Sequence, residues 1–371
     1  MAALPGTRPR AQRSDRTDPR TAVELAPPRL VRALIPACLL LVAAAALGVA
    51  VGSSHLSLLT LWHTVAGHIP LLPHRAVDPV DAAIFWQIRL PRVVLAAIVG
   101  AMLAGGGATY QGVFRNPLAD PYLLGVAAGG GLGATIVIVS GGPAGLLPVA
   151  AFTGAVLAVA LTYALGRTAR WDTGGGTVGI GNTPIVLAGV AIAALFTAAQ
   201  TYLQQQHVTT IQTVYGWILG QLTLASWSDV TVVLPYVIVA AVVLLACARR
   251  LDVLRVGEEE ASTLGIDPAR LRLLLIAAAT LGTAAAVAVS GLIGFVGIIV
   301  PHTVRLTTSS SYRVLLPVSM IVGAAFLILA DVAARTLQAP AEIPLGVVTA
   351  TVGAPFFLFV LRSRRAREAL S

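Results

Sequence analysis

Apolar residues in this chain come in long unbroken runs, not in the two-residue alternation of a half-buried strand. The runs cover 34–51, 93–114, 121–140, 146–166, 184–204, 230–248, 271–290, 292–306, 314–332 and 343–361. A helix needs about 20 apolar residues to cross about 30 Å of hydrocarbon. The pattern therefore predicts an all-α polytopic membrane protein with about ten transmembrane helices. A transmembrane barrel would show alternating segments of about ten residues instead. The run 34–51 resembles the apolar part of a secretory signal, but its length and the long arm before it predict a retained helix.

Composition agrees. Of 371 residues, 57% are hydrophobic and 11% charged, against about 25% charged in soluble domains. Glycine and proline recur inside and beside the runs, as in Ala104-Gly105-Gly106-Gly107 and Gly291-Leu292-Ile293-Gly294. Small residues let membrane helices approach closely, and they also break helices along a pathway; composition leaves both readings open. Cys38 and Cys247 fall in apolar runs and read as buried small hydrophobes, with neither a disulfide nor a metal site indicated.

Charge orients the chain. The net charge is +9 and every basic residue is Arg. The arginines flank apolar runs and form no single basic face, so nucleic acid is not an expected partner. With ten spans and the N-terminus inside, 21 of the 25 arginines fall on the inner side. The outer side keeps Arg75, Arg89, Arg92 and Arg335. Both termini are thus expected in the cytoplasm, with lipid around the bundle. Residues 1–32 read as a disordered Arg-rich cytoplasmic arm, 33–362 as the transmembrane domain and 363–371 as a cytoplasmic tail. A phosphate-binding Walker loop requires lysine, which the chain lacks, so any ATP-driven activity needs a separate subunit.

Four stretches carry more specific information. They are Arg89-Leu90-Pro91-Arg92 with its span through Tyr110-Gln111 to Asn116-Pro117-Leu118-Ala119-Asp120-Pro121; the loop Arg255 to Ile266; Gly291 to His302; and Asp331 to Arg335 followed by Pro340-Ala341-Glu342-Ile343-Pro344. In this order they resemble the permease subunits of ABC importers for iron-siderophores, haem and vitamin B12, the FecCD/BtuC-like family.

That resemblance implies a function and partners. The chain would be the permease of a binding-protein-dependent importer in the bacterial inner membrane. It would move an iron-siderophore-type chelate, or alternatively haem or cobalamin. The expected partners are a second permease copy, two ATP-binding subunits that hold ATP and Mg, and an extracytoplasmic binding protein; the chain itself would bind no cofactor.

It also implies site residues. Arg89, Arg92 and Arg335, with Glu342 beside them, would dock the acidic lobes of the binding protein; snorkelling at span ends is the plainer alternative. Gly257, Glu258, Glu259, Glu260, Ala261, Leu264 and Gly265 would form a coupling helix, within about 255–267, seated in the ATPase. The two glycines would allow its turns, and the acids would suit its N-terminal dipole. Asn182 and Thr183 would form a cytoplasmic gate, with Gln111, Asn116, Pro117 and His302 at or near the pathway; His302 also reads as a satisfied structural histidine. The chain departs from the family pattern in the Gly-rich stretch Gly174 to Gly181 before the gate, and in Ser309-Ser310-Ser311-Tyr312-Arg313, which is expected to adjust the ATPase contact.

Two other classes fit the residues poorly. A secondary transporter normally uses intramembrane acids, and only Asp331 approaches a span. An intramembrane enzyme needs paired carboxylates, a HExxH motif or a Ser/His set, and none is present.

Overall fold

Ten apolar helices follow the predicted order in a computed structural model that describes residues 27–52, 57–67, 76–168 and 182–362. They are α1 (Pro27–Ala50), α2 (Leu90–Val113), α3 (Val126–Val139), α4 (Leu147–Thr168), α5 (Asn182–Gln206), α6 (Trp227–Ala246), α7 (Pro268–Ser290), α8 (Val296–Thr307), α9 (Tyr312–Thr336) and α10 (Leu345–Arg362). Seven are long and apolar enough to cross a membrane; α3, α8 and α10 are shorter. No strand occurs among the described residues. Helix α1 begins at Pro27, so residues 27–32, expected in the arm, are helical. Proline suits the first helical turn, where its missing N–H has no partner to lose. The rest of the arm, the Gly-rich stretch 174–181, Arg75 and the tail 363–371 lie outside the described residues.

Helix α2 is the axis of the bundle and is buried along nearly its whole length. Hydrocarbon supplies no hydrophobic drive between helices, so they associate by close packing. Glycine makes that contact closest. A Cβ on Gly100 would stand 2.2 Å from the Gly323 carbonyl oxygen of α9, and one on Gly107 would stand 2.1 Å from that of Gly297 in α8. Helices α3 and α4 meet in the same way, with 2.2 Å from a Gly129 Cβ to the Gly154 oxygen. The Tyr110 and Thr280 hydroxyls, 2.8 Å apart, tie α2 to α7. Small residues in this bundle are thus mostly packing devices.

One predicted span is extended and two are interrupted. The span 93–114 extends backward through a helix at Pro79–Ala83 and a π-helical turn, Ile84–Arg89. Pro91 has no N–H and its ring crowds the preceding turn. The Trp86 carbonyl left over accepts a bond from the Trp227 indole at 2.8 Å. The span 121–140 splits at Gly125, whose φ of +87° separates the turn Pro121–Leu124 from α3.

The span 292–306 is a broken helix. Chain 291–295 is non-helical and α8, 12 residues long, covers only about 18 Å. Gly291 and Phe295 both have φ +69°. Non-helical backbone at membrane depth must be satisfied by protein or water. Here the Tyr122 hydroxyl lies 3.0 Å from both the N and the O of Ile293, and Gln221 N donates to Ser290 O at 2.9 Å. Gly220 and Leu219 carbonyls accept from Leu345 and Gly346, which seats the start of α10 against the same break.

If backbone contact holds the axis, Gly107→Leu should abolish a monodisperse purified protein or lower its melting temperature sharply. Gly216→Ala, where an added Cβ meets nothing within 4 Å, should leave both unchanged. Size-exclusion profiles and thermal melts in detergent decide this.

Candidate functional site

Polar side chains collect at the two ends of the bundle. At one end Arg92, on the first turn of α2, holds two carboxylates. Its Nε and Nη2 donate to Asp331 at 2.9 and 2.7 Å, and its Nη1 and Nη2 donate to Glu342 at 2.9 Å each. Thr223 Oγ1 donates to the same Glu342 at 2.8 Å. Arg335, one helical turn beyond Asp331 on α9, pairs with it at 3.3 Å and donates to Gly48 O at 2.6 Å. Arg89 donates to Val49 O and Ala50 O at 2.6 and 2.8 Å.

These contacts have one structural consequence. Gly48, Val49 and Ala50 end α1, where the last carbonyls have no intrahelical donor and the dipole favours a cation. Two guanidiniums meet both needs. The cage thereby clips α1 to α2 and α9, with Asp331 and Glu342 facing Arg92 and Arg335 and with Asp81 acting on Arg89. Glu342 lies outside the spans; hydrogen bonds from Arg92, and then from Thr223, hold its carboxyl below the usual glutamate range against the opposing effect of burial.

The sequence reading put Arg89, Arg92 and Arg335 at an open docking surface. The structure instead leaves them 4, 7 and 7% exposed and engaged with internal acceptors. A guanidinium at a span end looks the same in sequence whether it points outward or into the bundle, and here two acids and a helix terminus draw it inward. Glu342, at 30% side-chain exposure, is the cage member open to water.

At the other end the chain leaves α6 through a helix at Ala248–Val256 and forms a second short helix, Glu258–Thr263. Glu258, Glu259 and Glu260 fill its first turn, as the dipole favours. Glu258 is paired with the buried Arg272 of α7, and Ala261 is fully buried, so one face of this helix is anchored. Its exposed residues are Glu259, Glu260, Ser262 and Thr263, and the apolar Val256 and Leu264, 70 and 68% exposed, flank it at the end of the preceding helix and at its own C-cap.

The helix ends in a Schellman turn: Ile266 N donates to Ala261 O and Gly265 N to Ser262 O, with Gly265 at φ +75°. Gly265 therefore fills a left-handed position. Gly257 does not; its φ of −179° is extended backbone open to any residue, and the place of its missing Cβ is taken by the Glu260 carboxylate. The loop at Ser309–Ser311 packs against this arm. Asp252 accepts from Ser311 Oγ at 2.7 Å and Tyr312 N at 2.6 Å, capping α9, and Arg255 donates to Ser310 O.

The expected pathway residues do not converge. Gln111 is buried and bridges helices: its Nε2 donates to Gly297 O at 3.1 Å and its Oε1 accepts from Arg305 at 3.1 Å. Asn116 is exposed and its Oδ1 accepts from Leu118 N at 2.9 Å, setting a turn with Pro117 after Arg115, which has φ +49°. His302 is 3% exposed, with its ring edge-on to Phe356 of α10 at 6.2 Å and no hydrogen-bond partner at Nε2. Asn182 opens α5, but its side chain and that of Thr183 lie outside the described residues. Cys38, expected to be buried, is exposed on the outer face of α1, while Cys247 is buried. Among the described residues no three His, Cys, Asp or Glu gather as a metal site. Sequence alone does not single out Thr223, Tyr122, Asp252 or Arg272, whose partners lie far away along the chain; the Asp331–Arg335 pair, by contrast, has a local signature in its i, i+4 spacing.

Two outcomes follow from this geometry. Asp331→Asn leaves a buried guanidinium short of its anion and should destabilise by about 3–5 kcal/mol, with Glu342→Gln costing less because its site is wet. Because the Glu342 carboxyl is held below its ordinary value, the stability it adds should be fully present above the ordinary glutamate range of about 4.3. That stability should disappear as pH falls through the lowered value. Melting temperatures of wild type and Glu342→Gln across pH should therefore converge only in acid.

The same architecture occurs in known transporters. Residues 39–363 match the FecCD transport family. The chain is 44% identical over 309 residues to the cobalamin import system permease protein BtuC of Halobacterium salinarum, covering 82% of this chain and 79% of that one. It is 39% identical over 357 residues to the hemin transport system permease protein HmuU of Yersinia pestis, covering 92% and 98%. Among solved structures, an inward-facing ABC transporter classed as metal-chelate type superposes with a TM-score of 0.78 at 31% identity, over 90% of this chain and all of that one. A multi-pass bundle with a short polar helix anchored at one end, matched along almost its whole length, places this chain in the FecCD transport family as a permease subunit of an ABC importer, distinct from the ATPase.

Proposed function

We propose that this permease carries an iron-siderophore-type chelate into the cytoplasm of a bacterial cell, with haem or cobalamin as the second reading. Support for a chelate comes from the relatives, whose names span cobalamin, hemin and Fe(3+)-citrate. These cargoes share one chemistry, a metal already enclosed by an organic ligand. A permease for such a cargo needs shape and a dry path, and no ligand set of its own.

The observation that carries the ATP-driven reading is the Glu258–Thr263 helix. It is fixed on one face by Arg272 and Ala261 and flanked at its two ends by the exposed Val256 and Leu264. Exposed apolar residues at both ends of an anchored polar helix suit insertion into a cleft of a partner, here one of two ATP-binding subunits that hold ATP and Mg. Asp252 and Arg255 tie the arm to the start of α9, so a push on the helix reaches the bundle. A homodimer would place the pathway on its two-fold axis, with Asn182 and Thr183 as the cytoplasmic gate. Both termini lie in the cytoplasm on this reading, because arginine is concentrated on that side.

The binding protein would dock at the opposite end, on the Arg89, Arg92, Arg335 and Glu342 cage. On this reading the water-exposed Glu342 meets the partner first, and the arginines behind it shape the charge that steers the encounter more than holding it. Since the arginines also hold α1, charge reversal at Arg92 is expected to cost stability as well as docking. Arg89→Glu carries the same cost, because Arg89 caps the last carbonyls of α1; in a variant that keeps the wild-type melting temperature, uptake should fall several-fold and binding-protein affinity should weaken, most at low salt. Gly265→Val should lower uptake and ATPase stimulation with normal membrane insertion, whereas Gly257→Ala should not.

Substrate is decided by a deletion strain tested in parallel with ferric siderophore, haem and cobalamin. Loss of ferric-siderophore uptake alone, restored by the intact gene, is expected; loss of only haem or only cobalamin uptake transfers the assignment to that cargo.

A further inference from the structure

Two grooves flank the first turns of α1, at the end of the bundle that carries the Glu258–Thr263 helix. One, of about 560 Å³, runs between α1 and the α8–α9 corner, walled by Ala33, Ala37, Val304, Val318 and Val322, with Arg32 beside them. The other, of about 380 Å³, lies between α1, the end of α6 and the start of α9. Leu30, Leu245 and Pro317 wall it, and Arg249 and Arg313 line it. Val314 belongs to both. Their volumes fall in the range of roughly 300–1,000 Å³ typical of small-ligand sites.

The surroundings identify the medium these grooves open into. Helix α1 turns Val31, Ile35, Leu39, Leu40 and Val42 outward, a continuous apolar face on a helix long and apolar enough to span. The grooves therefore open sideways to the bilayer. Arg32, Arg249 and Arg313 are exposed, and no acid pairs with any of them among the described residues. Three cations at the polar end of apolar grooves, on the lipid face of a bundle, match an amphiphile with an anionic head. A guanidinium fork fits phosphate oxygens bidentately and keeps its charge. Basic pockets between helices on the cytoplasmic side are suited to such head groups.

We propose that the paired grooves beside α1 are a binding site for an anionic phospholipid, its phosphate against Arg249 and Arg313 with Arg32 on the far flank, and its acyl chains along the apolar walls. The lipid would fill the seam between α1 and α9 at the end opposite the cage, so that α1 is fastened by protein charges at one end and by lipid at the other. The site uses the proposed orientation only to name the leaflet; it does not depend on the substrate.

Native mass spectrometry of the purified full chain tests this, with phosphatidylglycerol and phosphatidylcholine added in turn. Wild type should retain phosphatidylglycerol over phosphatidylcholine by at least about fivefold, the contribution of one arginine near a head group. The triple variant Arg32→Gln, Arg249→Gln, Arg313→Gln should lose that preference, and Arg362→Gln, away from the grooves, should keep it. Inorganic phosphate in excess should not displace the lipid. Equal retention of both lipids, an unchanged triple variant, equal loss in Arg362→Gln, or displacement by phosphate would each overturn the proposal. If the triple variant does not purify folded, Arg313→Gln alone decides, with at least about a twofold loss expected and no loss counting against the site.

Discussion

Hydrocarbon offers no hydrogen-bond partner, so every polar group this chain carries into the bilayer must be met from within. The central helix α2 answers the constraint by contact. Its glycines let the backbones of α8 and α9 approach until an added Cβ would overlap a carbonyl oxygen. The break at 291–295 answers it by borrowed partners, chiefly the Tyr122 hydroxyl and the backbone around Gly220. The arginine cage answers it by pairing, with Arg92 between Asp331 and Glu342 and the end of α1 under Arg89 and Arg335. The bundle, the short α8 and the position of α1 all follow from these three solutions.

The two polar ends divide the work of an importer. The cage is closed on itself and keeps α1, α2 and α9 in register, with Glu342 open to water. The Glu258–Thr263 helix is anchored on one face and bare on the other, which suits a part that receives force from a partner. Between them no three His, Cys, Asp or Glu gather as a metal site among the described residues, and the chain has no lysine for a nucleotide loop.

The membrane class, the number of apolar helices and their order were legible in the runs of the sequence, because hydropathy over about 20 residues reports bilayer depth directly. The breaks at Gly125 and at 291–295 were not, because an apolar average does not register a left-handed φ. The short polar helix at Glu258–Thr263 was readable from three acids between glycines, yet only the backbone distinguished Gly265, which needs its glycine, from Gly257, which does not. Arg89, Arg92 and Arg335 were picked out as exceptions to the charge pattern. Their inward orientation depended on Asp331 and on the end of α1, partners far away in sequence. Gln111 was singled out as polar at depth, and the structure makes it a bridge to Gly297 and Arg305 instead of a lining residue.

On this reading the chain is a passive path driven from outside itself. Proteoliposomes containing the permease with its ATP-binding subunit, supplied with a loaded binding protein and a radiolabelled ferric siderophore, test it most directly. The expected result is accumulation that requires internal ATP and the binding protein together, and that persists when ion gradients are collapsed. Uptake by the permease alone, driven by a proton or sodium gradient without ATP, would contradict it.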